Sequence, residues 1–400
     1  MPKKPRIAIV LPGIQYGGGV PTMALFLYQA IQESFTYEAD LISIAMSSRN
    51  EWSTRILSPA SWRKGVQISS GSWRSVPVTF VGAQWVELEW QRYRPRVVLD
   101  ELLSRYDLVQ VVAGTPAPAL VTKNIKQPTC LYVATTAEQD RFSRISQSTG
   151  VRAILSRFMT SLSNRMEPAA LNQMDHVFAL SPYTYAQLDK YLPDNKLSLA
   201  LPGIDSKLFF PAEKYQVDGP IICVGRLADP RKNSRMLLEA YHLLRESLVD
   251  APRLLLVGEY PSREDWELAK AWGLTPYIDV QENLTPQELA PLYRQASLFV
   301  LTSNEEGLGI VIPEAMACGL PVIATRCGGP EAAVVEDETG YLIPVGDVNT
   351  LTMRMTQLWQ EPALRSRMGQ RGCERVIDHF SIAATSRIFF EQYEALLRTS

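Results

Sequence analysis

The stretch PIICVGRLADPRKNSRMLLEAYHLL, residues 220–244, decides the fold prediction for this chain. Its apolar run, residues 221–224, has the length and composition of a strand that is buried on both faces. After a loop with glycine, proline and charged residues, apolar side chains return at helical spacing. A buried strand followed directly by an amphipathic helix is the repeating unit of a parallel α/β sheet.

The same alternation recurs on both sides of this unit. Upstream, RIAIVL precedes PTMALFLYQAI and HVFAL precedes SPYTYAQLDKYL, and downstream RLLLVG precedes SREDWELAKAW. Two doubly wound α/β halves are therefore predicted. The turn-rich segment 201–219 separates them and predicts an interdomain linker. Residues 47–95 interrupt the alternation and predict irregular strands or an insertion.

Composition bounds the class of protein. The 400 residues are 46% hydrophobic and carry 40 basic against 42 acidic side chains, so two domains and no nucleic-acid partner are predicted. The five cysteines form no C-x-x-C pair, which argues against a zinc site or a disulfide framework and indicates a reducing cytosol. The N-terminal apolar run is too short for a signal peptide, and no stretch has the length of a transmembrane helix.

The glycine cluster Gly17–Gly19 follows the first apolar run. Glycines let backbone N–H groups approach a ligand, and a helix N-terminus attracts anions, so the cluster is a candidate phosphate site. Its spacing matches neither G-x-G-x-x-G nor the Walker pattern. A simple turn between strand and helix explains it equally well.

Arg226 and Lys232 lie on the loop between the strand and the helix of residues 220–244. The pair indicates diphosphate binding if both side chains contact one anion. A solvated basic loop is the alternative reading of these two residues.

Two glutamates bracket a glycine-rich turn in NEEGLGIVIPEAMACG, residues 304–319. Pro313 suits the first turn of a helix, Glu314 complements its dipole, and Gly319 suits the position after its end. The preferences of residues at the start and end of a helix do not explain Glu306 or the glycines that follow it. A ligand that approaches the backbone there explains both.

These residues resemble the retaining glycosyltransferases of family 4, glycosyl transferases group 1. Glu306 and Glu314 stand in the E-x₇-E spacing of that family, within EEGLGIVIPEAMACGLPVIATRCGGPEAAVVEDETGYLIPVGD. Upstream, VGRL together with Lys232 matches its arginine and lysine spacing, and LPGIDSKLFFP resembles its interdomain segment. The resemblance covers most of the chain and is loosest over residues 47–95.

The resemblance implies the GT-B fold, an α/β architecture of two facing Rossmann-like, doubly wound domains whose last helix crosses back to the first domain. We therefore predict an N-terminal, acceptor-side domain of residues 1–203 plus 381–400, and a nucleotide-sugar-binding domain of residues 204–380. The helical pattern FSIAATSRIFFEQYEALL near the C-terminus fits the crossing helix.

By the same resemblance, Arg226 and Lys232 would hold the donor diphosphate and, with Glu306, form the catalytic group. Glu314 would bind the ribose hydroxyls. The sequence contains no D-x-D motif to recruit a metal ion. Arg226 and Lys232 would therefore neutralise the departing diphosphate, and neither a metal nor a cofactor is expected besides the donor substrate.

The resemblance also assigns backbone groups to the donor. Amides around Leu308, Gly309 and Ile310 would face the transferred sugar and its phosphate. Gly18 and Gly19 would approach the diphosphate or the acceptor from the other side of a cleft.

Many members of that family carry a histidine just after the strand that corresponds to CLYVA. In this chain the strand continues with Thr135 and Thr136, followed by Ala137 and Glu138, and the three histidines lie elsewhere. We hypothesise that Thr135, Thr136 or Glu138 contacts the donor sugar instead. A front-side mechanism, in which the departing phosphate accepts the acceptor's proton, needs no protein base.

Residues 141–166 combine helically spaced apolar side chains with five arginines. Such a basic amphipathic helix is a candidate for peripheral contact with an anionic membrane. A core helix with a solvated basic face is the commoner structure for such a pattern.

We therefore predict a metal-independent, retaining glycosyltransferase that moves a sugar from a UDP- or GDP-type donor to a hydroxyl of a glycan or lipid-linked acceptor. Polysaccharide or glycoconjugate synthesis in the cytoplasm or at the inner membrane face is the expected setting. Two alternatives stay open, a non-catalytic GT-B relative that serves as a binding subunit and a GT-B nucleotide-sugar epimerase or hydrolase.

Overall fold

A computed structural model describes residues 4–16, 19–47, 50–137, 165–213, 215–306 and 309–399. The chain divides into two compact units, Met1–Gly203 with Thr385–Ser400, and Ile204–Ala384. The sequence places the return to the first domain at residue 381, whereas Thr385 is the first residue that rejoins the first unit. The amphipathic stretch 141–166 lies outside the described residues, apart from its last two positions.

An eight-stranded sheet forms the centre of the first unit. Its strands are β1 (Arg6–Pro12), β2 (Glu38–Ile44), β3 (Ile68–Trp73), β4 (Val76–Val81), β5 (Leu108–Ala113), β6 (Thr129–Val133), β7 (His176–Ala179) and β8 (Leu197–Leu199). Their order is β3-β4-β2-β1-β5-β6-β7-β8, and β3 pairs antiparallel with β4. Every residue of β5 and β6 is buried, as expected of parallel strands covered on both faces.

In the described residues up to 203, this unit has the helices α1 (Gly19–Ser34), α2 (Pro59–Lys64), α3 (Glu89–Arg92), α4 (Val97–Leu103) and α5 (Pro182–Leu188). Residues 47–95, predicted as irregular strands or an insertion, contain α2, the β3–β4 hairpin and α3. The amphipathic stretch after β5 forms a 3₁₀ helix, Ala117–Thr122, instead of a full α-helix.

A six-stranded, wholly parallel sheet forms the centre of the second unit. Its strands are β9 (Ile221–Arg226), β10 (Leu254–Glu259), β11 (Ile278–Gln281), β12 (Leu298–Leu301), β13 (Val322–Thr325) and β14 (Gly340–Ile343). The order β11-β10-β9-β12-β13-β14 is doubly wound, and its direction of growth reverses between β9 and β12. Connections leave the sheet on opposite faces at such a switch point, which opens a crevice at the carboxyl ends of the two strands.

The helices of this unit are α6 (Ser234–Ser247), α7 (Arg263–Ala271), α8 (Pro286–Gln295), α9 (Val311–Ala317), α10 (Pro330–Ala333), α11 (Val348–Gln360) and α12 (Pro362–His379). Local sequence sets the start of α8. Thr285 caps it, the Glu288 carboxylate accepts the Thr285 N–H at 2.8 Å, and proline occupies the first helical position.

The C-terminal helix, α13 (Ile382–Thr399), packs on the sheet of the first unit. Phe389 lies edge-on to Tyr132 with ring centroids 5.0 Å apart, and the buried Tyr393 hydroxyl donates to Gln110 Oε1 at 2.8 Å. Two doubly wound sheets and a final helix that returns to the first one confirm the predicted fold class.

Candidate functional site

The loops that follow β9 and β12 are tied together by hydrogen bonds. The Asn304 N–H donates to the Arg231 carbonyl at 2.7 Å, and the Asn233 side-chain amide donates to Asn304 Oδ1 at 3.0 Å. The Thr302 hydroxyl lies 3.1 Å from the carbonyl oxygen of Lys232. The backbone that carries Lys232 is therefore fixed at the switch point of the sheet.

Lys232 forms an ion pair with Glu306 at this position. The Ser303 hydroxyl donates to the same carboxylate oxygen, Glu306 Oε1, at 3.0 Å. The Lys232 side chain is 17% exposed and its stem passes over Gly225, where an added Cβ would lie 3.6 Å from Lys232 Cε. An ammonium group has three N–H donors, so Lys232 can keep Glu306 and also contact a ligand.

Arg226, the last residue of β9, is the accessible cation of this loop. Its side chain is 57% exposed and lies 3.4 Å from Asp229. Burial opposes ionisation of Asp229, but hydrogen bonds from Arg231 outweigh it and lower the Asp229 pKa to about 2. Asp229 therefore stays ionised and engages mainly Arg231, which leaves Arg226 open to an anion.

Glu314 lies in the first turn of α9. The surrounding protein raises the pKa of its carboxyl to about 7 by desolvation, although the Tyr293 hydroxyl, which donates to Glu314 Oε2 at 3.2 Å, works in the opposite direction. The residue as a whole is half-buried. The protein gives such a desolvated carboxylate too few hydrogen bonds to replace those of water. The carboxylate is therefore suited to accept hydrogen bonds from ligand hydroxyls.

Glycine is required at two points around these side chains. Gly309 has φ +68°, in the left-handed region, and immediately precedes Ile310, the residue that caps α9. At the end of β10, Gly258 has φ +119°, and a Cβ there would lie 2.1 Å from the Gly225 oxygen. Leu308, predicted beside Gly309 at the donor, lies outside the described residues.

The remaining predicted site residues belong to the first unit. Gly19 is the first residue of α1, whereas Gly18 lies outside the described residues. Thr135 and Thr136 follow β6 and are partly buried, and Glu138 also lies outside the described part of the chain.

A hydrogen bond and a close approach of two segments connect the loops of the first sheet. The Thr135 N–H donates to the Gly114 carbonyl at 2.9 Å. A Cβ on Gly114 would lie 3.7 Å from the Val20 side chain, at the start of α1. The loops that follow β1, β5 and β6 are therefore neighbours at the carboxyl edge of this sheet.

Sequence reasoning missed Tyr293, Ser303 and Asp229. Asp229 carries a local signal, because it directly precedes Pro230 and accepts the Arg231 N–H as the cap of a 3₁₀ turn. Tyr293 and Ser303 carry none, since their contacts with the two glutamates depend on tertiary packing and on the path of a loop.

Two features are absent from the residues that the structure describes. No helix there combines the length and apolar character needed to cross a membrane. No group of three or more histidine, cysteine, aspartate or glutamate side chains is arranged there to hold a metal ion.

The second unit matches a known protein family. Residues 219–361 match the family model described as "Glycosyl transferases group 1". The chain is also 30% identical over 228 residues to a GDP-mannose-dependent alpha-(1-6)-phosphatidylinositol monomannoside mannosyltransferase of Mycolicibacterium smegmatis. That alignment covers 52% of this chain and 59% of the relative. The chain spans about half the length of the curated relatives it matches.

Solved structures match the whole fold. Sucrose-phosphate synthase of Thermosynechococcus elongatus superposes with a TM-score of 0.74 at 20% identity, over 99% of this chain and 100% of that one. HepE of Anabaena in complex with UDP-glucose superposes with a TM-score of 0.70 at 15% identity, over 98% and 100% of the two chains. The fold is GT-B, and the predicted resemblance to glycosyl transferases group 1 is confirmed.

Proposed function

We propose that the chain is a retaining glycosyltransferase that moves a hexosyl group from a UDP- or GDP-type sugar to a hydroxyl of a glycan or lipid-linked acceptor. The observation that carries this proposal is the Lys232–Glu306 ion pair beside the exposed Arg226 at the switch point of the second sheet. Ligands of doubly wound sheets bind at such points. Similarity to a GDP-mannose-dependent mannosyltransferase and to a protein crystallised with UDP-glucose supports this class of donor.

Arg226 and Lys232 would hold the diphosphate of the donor. Arg226 is exposed at the end of β9, and Lys232 is fixed by the loop after β12. Two preorganised cations stabilise the negative charge that builds on the diphosphate as it departs, the role that a metal ion plays elsewhere. We therefore propose that the reaction needs neither a metal nor a cofactor.

The two glutamates would bind opposite ends of the donor. Glu314 accepts hydrogen bonds from the ribose hydroxyls, and the backbone near Gly309 and Ile310 faces the sugar phosphate. Glu306 faces the transferred sugar while it keeps Lys232 in position. In this assignment neither carboxylate removes the proton of the acceptor.

The chemical step conserves the anomeric configuration. The acceptor oxygen forms its bond to the anomeric carbon on the face from which the phosphate oxygen departs. The bond between the anomeric carbon and that phosphate oxygen breaks at the same time. The acceptor proton passes to that departing oxygen. The partly buried Thr135 and Thr136 are candidate contacts of the sugar, together with Glu138.

Polysaccharide or glycoconjugate synthesis in the cytosol is the setting that we propose. All five cysteines are free thiols, which is usual for proteins of a reducing compartment. The membrane contact proposed for residues 141–166 stays a prediction, because it falls almost wholly outside the described residues.

A donor screen by mass spectrometry tests the function. The protein is incubated with UDP- and GDP-sugars and with glycan or lipid-linked acceptors, and both donor loss and product mass are recorded. Donor consumption that depends on acceptor is the expected result. Consumption in water alone would indicate a hydrolase, a change of sugar configuration an epimerase, and donor binding without turnover a binding subunit.

Lys232→Ala tests the assigned site. Loss of one preorganised charge should lower turnover about a hundred- to a thousandfold with the fold intact. Lys270→Ala is the matched control, because Lys270 is an exposed lysine that pairs with Glu267 on α7. Unchanged turnover in Lys232→Ala would refute the site, and intact turnover after alanine replacement of Thr135, Thr136 and Glu138 would remove them as sugar contacts.

A further inference from the structure

A group of apolar side chains is exposed on the first unit, on the short helix α2 and on loops near it, outside the proposed donor site. Its members, called here the tryptophan surface, are Ile56, Leu57, Trp62 and Trp85. Leu57 is 93% exposed and Trp62 is 54% exposed. Contiguous exposed apolar patches are unusual on soluble proteins and mark surfaces that meet a partner or a membrane.

Hydrogen bonds make these side chains neighbours. The Trp62 indole N–H donates to the carbonyl oxygen of Arg55, directly before Ile56 and Leu57. The Trp85 N–H donates to the Thr54 hydroxyl at 2.9 Å, one residue before Arg55. The four members therefore lie on adjoining segments of backbone.

The loop that carries Ile56 and Leu57 is closed by its own hydrogen bonds. The Arg55 N–H donates to the Ser61 hydroxyl at 2.9 Å, and the Ser58 N–H donates to the Arg55 carbonyl at 3.3 Å. Gly65 ends α2 with an N–H that donates to the Ser61 carbonyl at 3.1 Å. The apolar side chains are thus presented to solvent by a defined turn and a short helix.

Positive charge accompanies these apolar groups. Residues 52–86 contain four of the eight tryptophans of the chain and no aspartate or glutamate. The basic residues of the same range are Arg55, Arg63, Lys64 and Arg74. Acidic side chains flank the range at Glu51 and Glu87, and Glu87 accepts the Ile56 N–H at 3.3 Å.

We propose that the tryptophan surface docks the protein on an anionic lipid bilayer. Exposed tryptophan and aliphatic side chains partition into the headgroup region, and neighbouring lysine and arginine side chains are attracted to anionic lipids. Leu57 and Ile56 offer nothing to a nucleic-acid backbone, and the exposed Arg63 and Lys64 favour an anionic surface over a neutral one. The tryptophan surface shares no residue with the proposed donor site or with residues 141–166.

Vesicle cosedimentation of the full chain tests this proposal. Phosphatidylcholine vesicles are compared with vesicles that also contain phosphatidylglycerol, and binding only to the second kind is expected. Arg63→Glu with Lys64→Glu should weaken binding at least about thirtyfold, because each basic residue near an anionic leaflet contributes about fivefold. Leu57→Ser with Trp62→Ser should weaken it about tenfold or more.

Matched variants separate this surface from general effects. Arg105→Glu with Lys190→Glu changes the net charge equally on exposed residues of the first unit, and Val249→Ser removes an exposed apolar side chain from the second unit. Neither should weaken binding. Leu57→Ser alone keeps every hydrogen bond of the loop, so it tests the surface even where replacement of Trp62 disturbs folding.

Several outcomes would overturn the proposal. Equal binding of the wild-type protein to both kinds of vesicle would do so, and so would an equal loss of binding by the tryptophan-surface variants and the controls. Full binding by the variants would place any membrane contact elsewhere in the chain. Self-association that the Leu57 and Trp62 variants abolish, without vesicle binding, would assign the surface to a second copy of the chain.

Discussion

Donor affinity is expected to depend on pH through Glu314. Desolvation raises the pKa of this carboxyl to about 7 in the free protein, despite the hydrogen bond from Tyr293. A ribose hydroxyl donates a stronger hydrogen bond to a carboxylate than to a neutral carboxyl group. Binding therefore favours the ionised form, and donor binding should release protons when the pH is near or below 7.

The size of the effect follows from the fraction of ionised Glu314. With a pKa of about 7, about nine tenths of the sites are ionised at pH 8 and about one tenth at pH 6. If only the carboxylate binds the ribose well, the apparent Kd should rise about tenfold from about pH 8 to about pH 6.

Calorimetry with a UDP- or GDP-sugar measures this dependence. The diphosphate of a nucleotide sugar is esterified at both ends and does not change its ionisation in this range, whereas free UDP does. Titrations in buffers of different ionisation enthalpy report the number of protons released. Glu314→Gln should bind more weakly and without the pH dependence, and Glu267→Gln, on the exposed face of α7, should behave like the wild-type protein. A wild-type Kd that does not change with pH, or proton uptake on binding, would refute the assignment of Glu314.

Three further predictions concern stability. The native pKa of Glu314 lies above its unfolded value, so this residue makes the protein less stable as the pH rises from about 4.5 to about 7, and Glu314→Gln should raise the Tm more at pH 8 than at pH 5. Gly258→Ala, with its Cβ 2.1 Å from a backbone oxygen, should lower the free energy of unfolding in denaturant by about 2–4 kcal/mol. Gly273→Ala is the control, because nothing lies near its Cβ, and it should lower the free energy of unfolding by about 1 kcal/mol. Tyr393→Phe should cost about 1–2 kcal/mol by losing its buried hydrogen bond to Gln110, with donor affinity unchanged. Equal costs for the two glycines, a fully stable Tyr393→Phe protein, or a Glu314→Gln gain that is the same at both pH values would contradict the respective reasoning.

Sequence predicted those parts of the fold that local patterns determine. The strand and helix order follows from short apolar runs and helical periodicity, and the start of α8 follows from the capping box at Thr285. The short 3₁₀ helix Ala117–Thr122 could not be predicted in this way, since apolar spacing does not distinguish it from the start of a longer α-helix. Exposure of Leu57 and Trp62 could not be predicted, since a tryptophan in a mixed sequence is more often packed inside than presented to solvent.

The candidate site was predictable only in part, because its contacts join residues that are far apart in the sequence. Lys232 and Glu306 are 74 residues apart, and no local rule says that they meet, so the resemblance to a family had to place them together. The contact between Tyr293 and Glu314 was not predicted at all. Each residue is an ordinary member of a helix in the sequence, and only the packing of α8 against α9 brings the phenol to the carboxylate.

The structure nevertheless supports a ligand site without the family resemblance. Three departures from stable local structure occur around β9 and β12: the left-handed Asn233 at φ +47°, the largely buried Lys232–Glu306 pair, and the desolvated Glu314. Each of these features costs stability or gives little in return, because strained backbone and desolvated charges are unfavourable. Departures of this kind are expected where function requires them. Their common location at the switch point, where the geometry of the sheet already opens a crevice, makes a polar ligand with anionic and hydroxyl groups the simplest explanation for all three.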